Sequence, residues 1–168
     1  MTVEYTRRHL AGEHIEWLKT LPKTQIVADE IFLCHGTPFD DEMYLLEDIS
    51  QGSPQLKTNV QLRKLLKDIQ QPIILCGHSH IQRTVYMPDG RLIVNPGSVG
   101  LPAYSDDYPV FHKMETGSPH ASYAILSRDK TNWRVEHLKI PYDWEKAAQI
   151  ASENQRADWA KWLRMGRG

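Results

Sequence analysis

The sequence predicts an α/β fold, and three observations carry that expectation. Two short apolar runs, EIFLCHG (Glu30 to Gly36) and PIILCGH (Pro72 to His78), are each punctuated by glycine, as strands buried within a sheet are. Between them, QLKTNVQLRKLLKDI has a helical period, so the order is strand, helix, strand, the crossover unit of an α/β sheet. Past them, two pairs of alternating segments flank turn residues and read as hairpins.

Composition sets the frame. The chain has 168 residues, 40% hydrophobic and 24% charged, which suits one soluble globular domain spanning 1–168. Its net charge of -1 leaves no global basic field of the kind that holds nucleic acid nonspecifically. No apolar run approaches the roughly 20 residues of a membrane span. MTVEYTRRHL has no hydrophobic signal core, so a cytoplasmic protein with no membrane partner is expected. Cys34 and Cys76 each sit at the end of an apolar run and read as reduced core thiols rather than a disulfide.

The elements follow in order. Residues 7–21 place Leu10, Trp17, Leu18 and Leu21 near a helical period, with Pro22 past the end, which predicts a surface helix packed on something. The two glycine-punctuated runs predict strands buried on both faces, and the helix between them should bury Leu56, Val60, Leu62, Leu65, Leu66 and Ile69. RTVYM and RLIVN flank PDG, where proline presets φ and glycine accepts a positive one, so Arg83 to Asn95 reads as a hairpin. Gly97 to Pro119 reads as an ordered surface loop. ASYAILS and WRVEHLKI form a second hairpin around Arg128 to Asn132, and two helices close the chain, starting near Asp143 and Arg156.

The chemistry concentrates at strand ends. His35, His78 and His80 stand immediately past the C-terminal ends of the two buried strands, where open α/β sheets place ligand crevices. Neutral imidazole suits first-row divalent metals, although a lone histidine near a strand end is ordinarily a hydrogen-bonded polar residue. The pair in GHSH strengthens the metal reading, since residues i and i+2 of a regular strand share a side.

LCHGTP, LCGHSH and IVNPGSVGLP, in that order and in those strand contexts, resemble the C-terminal half of a calcineurin-like metallophosphoesterase, near the small bacterial and archaeal phosphodiesterase-like branch. The resemblance covers nearly the whole chain, from LKTLP through IPYDW. It implies a β-sandwich flanked by helices, of which this chain is the C-terminal part. It also implies two divalent transition metal ions, Mn, Zn, Fe or Ni, with His35 and His78 on one and His80 on the other. The implied reaction is attack of solvent on phosphorus in line, the metals offsetting charge on the phosphoryl oxygens.

The same resemblance implies further ligands from Asp-x-His, Gly-Asp-x-x-Asp and Gly-Asn-His motifs, the last also carrying a histidine that assists the leaving group. No Asp-x-His, Gly-Asp or Asn-His occurs in the sequence, so no catalytic histidine is assigned and the chain reads as beginning after those motifs. Asp40, Asp41 and Glu42 after His35, and Asp106 and Asp107 further on, are the local acids available to replace the missing carboxylates. A chain without the first family strands is expected to leave a sheet edge uncovered, which favours homo-oligomers.

Candidate substrate-binding residues are Asn95, Gly97, Ser98 and His112. NPGSVG either presents amides and the Ser98 hydroxyl to a phosphate or is only a tight turn. His112 either lines a cleft or is a solvated loop histidine, and His120 sits in the same loop. Trp133, Trp144, Trp159 and Trp162 fit packing better than base stacking, since no basic stripe accompanies them. Three functions are thus on the table: a metal-dependent phosphoesterase, more specifically a phosphodiesterase, with its site incomplete in this chain; an inactive truncated relative that binds metal or associates; and a structural domain with incidental histidines.

Overall fold

The structure is a computed structural model that describes residues 2–130 and 132–168. Two helices, α1 (Thr2–His9) and α2 (Gly12–Thr20), precede an antiparallel pair, β1 (Thr24–Val27) and β2 (Ile31–Cys34). The short strands β3 (Glu47–Asp48) and β4 (Gln55–Leu56) lead into α3 (Asn59–Leu65) and then β5 (Ile73–Leu75). Next come β6 (Arg83–Tyr86), β7 (Leu92–Asn95), β8 (Ala103–Asp106) and β9 (His112–Glu115). A long hairpin, β10 (Ala121–Asp129) and β11 (Asn132–Ile140), and the helices α4 (Trp144–Glu153) and α5 (Ala157–Met165) complete the chain. Met1 and Thr131 lie outside the described residues.

The main sheet has the order β1-β2-β5-β7-β6, with β2, β5 and β7 parallel and antiparallel strands at both edges. Alternation along these strands sorts the core into two layers. Phe32, Ile74, Val85 and Ile93 face Leu62 of α3, Leu66 just past its end and the Leu45–Leu46 pair. Ile31, Ile73, Leu92 and Val94 face Ala124, Leu126, Trp133 and Val135 of the β10–β11 hairpin. The expected α/β sandwich flanked by helices is therefore built from one sheet with helix on one face and hairpin on the other.

Several expectations change. The helix over 7–21 is two helices with a break at Leu10–Ala11, and α2 buries no residue, its Trp17, Leu18 and Leu21 standing 60%, 46% and 48% exposed. In the crossover, the Thr58–Gln61 capping box starts α3 only at Asn59. That leaves Leu56 in a strand and Val60 on the outer face, while Leu62 and Leu66 bury completely. β2 and β5 are not sealed on both faces, because Leu33 and Leu75 line an open groove against β10. The 97–119 segment is not a loop: it folds into the antiparallel pair β8–β9, whose alternation turns His112 and Met114 inward. Both cysteines are free thiols, as expected.

Candidate metal centre

Parallel pairing of β2 and β5 brings their C-terminal ends side by side, and the Gly77 N–H donates to the His35 carbonyl at 2.8 Å. The rings of His35 and His78 consequently lie 5.0 Å apart, centroid to centroid. His35 is exposed, whereas His78 and His80 are half-buried. A methyl group on Gly36 would approach the Met43, Asp40 and Asp41 carbonyl oxygens to 2.5, 2.7 and 2.8 Å, so only glycine lets the following loop fold back over the strand end.

That returning loop orients His78. Its Nε2–H donates to the Glu42 carbonyl at 3.0 Å, and Tyr44 stacks on its ring at 4.3 Å and 19°. His80 is fixed in the same manner, Nδ1–H donating to the Leu101 carbonyl at 2.7 Å, with Tyr104 edge-on at 5.0 Å. A carbonyl only accepts, so these bonds assign the tautomers: Nδ1 of His78 and Nε2 of His80 carry the lone pairs. Burial lowers the pKa of both rings, and the charge of the neighbouring histidines lowers it further, against the opposing effect of the carbonyl bonds. Neutral imidazoles result, which is the ligating form.

The segment carrying them is not a strand. His78 and His80 adopt φ of 66° and 61°, left-handed values that cost an ordinary side chain about 1–2 kcal/mol each. The regular i, i+2 alternation is therefore replaced by two left-handed residues flanking Ser79. Asn95 holds them there. It is completely buried, its Nδ2 donates to the Gly77 carbonyl at 2.7 Å and to Ser79 Oγ at 3.0 Å, and its Oδ1 accepts the Gly97 N–H at 2.9 Å.

The remaining candidates divide accordingly. Asn95 has no exposed surface with which to touch a substrate, and the Gly97 amide is spent on it, so this part of NPGSVG takes the structural side of the two readings. Ser98 Oγ accepts the Leu101 N–H at 3.1 Å, tightening the turn that delivers the Leu101 carbonyl to His80. His112 is corrected outright: it neither lines a cleft nor is solvated, because β9 turns it completely inward. Its Nδ1–H donates to the Val110 carbonyl at 2.8 Å, so its Nε2 accepts the Tyr44 hydroxyl at 2.9 Å. The Tyr104 hydroxyl in turn is shared between the Tyr44 oxygen at 2.8 Å and the His78 carbonyl at 3.0 Å.

Tyr44 and Tyr104 are the residues that sequence reasoning missed. The only signal was an aromatic in each of the two segments flanking the histidines, and nothing in the spacing joins them. The local acids do not complete the centre. Asp40 accepts the Glu42 N–H and Asp106 the Tyr108 N–H, and among the described residues no three His, Cys, Asp or Glu side chains converge on one point. The donor set fits a divalent metal as a partial ligand sphere: oriented, neutral imidazoles without a carboxylate.

Comparison with known proteins follows the same outline. The chain is similar to an uncharacterized protein of Methanocaldococcus jannaschii, 23% identical over 180 aligned residues that cover 95% of this chain and 62% of the relative. Among solved structures it resembles a metallophosphoesterase from Sphaerobacter thermophilus, with a TM-score of 0.70, 21% identity, and coverage of 97% of this chain and 66% of that one. It also resembles a hypothetical protein from Pyrococcus horikoshii, with a TM-score of 0.69, 18% identity, and 96% and 57% coverage. The chain thus spans under two-thirds of the length of each relative. No helix among the described residues is long and apolar enough to cross a membrane. Residues 9–129 match the calcineurin-like phosphoesterase superfamily domain, and they contain all three histidines and the turn that braces them; the chain belongs to that superfamily.

Proposed function

We propose that this chain carries the histidine side of a metal-dependent phosphoesterase centre that acts on phosphodiesters, in the C-terminal portion of the catalytic domain. One observation carries the reading: His78 and His80 each commit one ring N–H to a main-chain carbonyl, beside the exposed ring of His35, which is how imidazoles are held for metal. His35, through its ring, His78, through Nδ1, and His80, through Nε2, would hold divalent ions. Such ions supply positive charge that acidifies water and offsets the charge of the phosphoryl oxygens.

This chain's own residues do the rest by preorganisation. Asn95 fixes the left-handed turn, Tyr44 and Tyr104 fix the ring planes, and the Glu42 and Leu101 carbonyls fix the tautomers. The carboxylates that such a centre requires are to be supplied from outside these 168 residues. A second reading, an inactive metal-binding or association module, is favoured by the absence of three convergent ligands among the described residues.

Metal analysis after loading with Mn²⁺ or Zn²⁺, paired with hydrolysis of bis(p-nitrophenyl) phosphate by a complete catalytic domain that includes this chain and the missing carboxylates, separates the two. Metal-dependent turnover abolished by His78→Ala supports the phosphoesterase. One weakly held ion with no turnover supports the binding module. Turnover that survives His78→Ala, or no metal uptake at all, defeats the assignment of the histidines.

A further inference from the structure

The stretch that carries Tyr44 is clasped by a side chain from further along the sequence. Lys57, half-buried just past β4, donates its main-chain N–H to the Leu46 carbonyl at 2.8 Å. Its ammonium donates to the carbonyls of Tyr44, at 2.8 Å, and Glu47. An ammonium ordinarily stays in water or meets a carboxylate; this one is spent on main-chain carbonyls, which makes both bonds charge-assisted. The clasp is itself anchored. Glu47 is completely buried, and its carboxylate accepts Arg83 Nε at 2.8 Å, which ties β3 to β6 at the edge of the main sheet.

The group held this way is the root of Tyr44. The far end of that side chain is pinned where its hydroxyl donates to His112. A ring pinned only at its tip swings about that point; fixing its peptide plane as well removes the swing. The orientation that results is the one stacked on His78 at 4.3 Å and 19°. Glu42, whose carbonyl accepts the His78 Nε2–H, stands shortly before Tyr44, so the same clasp governs the direction of that carbonyl. Leu45 and Leu46, both buried, set the depth of this stretch, but hydrophobic contact is non-directional and does not turn a peptide plane.

We propose that Lys57 is a positioning residue for the metal ligand His78, acting through the main chain of Tyr44 and touching neither metal nor substrate. Its effect on metal rests on the phosphoesterase reading; its effect on the His78 ring does not.

Nuclear magnetic resonance of the His78 ring in the full chain, with chelator present, tests the proposal without metal. In the native chain the ring should hold the single Nε2–H tautomer, its carbon-bound protons moved upfield by the Tyr44 face stacked on them. In Lys57→Met, which keeps an apolar stem and loses every side-chain donor, the ring should become a mixture of tautomers and lose the upfield shift. Zinc affinity, titrated separately, should fall about tenfold. Lys57→Gln, which retains a donor without the charge, is the second variant and should fall between. Leu92→Val, in the opposite core layer, controls for destabilisation alone and should leave ring and affinity as they were. Unchanged His78 signals in the folded Lys57 variants overturn the proposal, as does the same change in Leu92→Val. A changed ring in Lys57→Met together with no zinc uptake by the native chain removes the phosphoesterase reading and leaves Lys57 its hold on His78.

Discussion

Replacing Asn95 by alanine should damage the fold and, on the function proposed above, the affinity for metal, and the size of the effect follows from its bonds. The side chain is completely buried and serves the Gly77 carbonyl, the Ser79 hydroxyl and the Gly97 amide. The Gly77 carbonyl keeps the Ser79 N–H at 2.8 Å, so the Ser79 hydroxyl and the Gly97 amide are the groups that lose a partner; at about 1–3 kcal/mol each, Asn95→Ala should lose roughly 2–4 kcal/mol, allowing for partial rearrangement. That is a large share of the roughly 5–15 kcal/mol that stabilises a domain of ordinary size. Urea unfolding followed by fluorescence would read it as a fall in midpoint at unchanged slope. The second effect is local. Without Asn95 nothing matches the two left-handed histidines to their turn, so metal affinity should fall by about 10–100-fold, the loss typical of an outer partner of a ligand. Asn95→Asp keeps the shape and the acceptor but cannot donate to the Gly77 carbonyl, and should fall between. A loss under about 1 kcal/mol with unchanged metal affinity would refute the claim that Asn95 holds the loop.

Four smaller predictions share this logic. Tyr104→Phe removes a hydroxyl shared between Tyr44 and the His78 carbonyl, and should lower stability by about 1–2 kcal/mol in the same urea assay. Gly36→Ala places a methyl within 2.8 Å of three carbonyl oxygens and should either abolish soluble expression or cost more than about 3 kcal/mol, whereas Gly100→Ala should be nearly neutral. In the β1–β2 turn, Ala28 and Asp29 both have positive φ, 49° and 58°, so Asp29→Gly should raise the unfolding midpoint by an amount worth about 1 kcal/mol. Burial, helped by the Asp41 charge, pushes the Cys34 thiol from 9.0 up to about 12. Ellman's reagent should therefore react slowly with the native chain at neutral pH and promptly in denaturant. Stability should be insensitive to this thiol below 9.0 and decline above it, because there only the unfolded chain ionises.

Much of the scaffold was legible because its signals are local. Glycine at the end of an apolar run marked β2 and β5, PDG marked the β6–β7 hairpin, and Asp143 caps α4 through the Lys146 amide at 3.0 Å. Failures fell where a partner distant in sequence decides. Trp17, Leu18 and Leu21 have a buried helix's period, yet no element among the described residues covers α2. The β8–β9 pair hides in a segment rich in turn residues, and its alternation is recognisable only once His112 has Tyr44 to bond.

The sequence by itself determined the three histidines, their place past parallel strand ends, and the missing carboxylate motifs, since these depend on residue type and order along the chain. Only the tertiary structure decided how the histidines stand. Tyr44 is 68 residues from His112, and Tyr104 is 26 from His78, yet these contacts, with Asn95, set ring planes, tautomers and left-handed backbone. Residue type fixes what a group is able to donate or accept; which of its atoms remains open depends on the neighbours that packing brings to it.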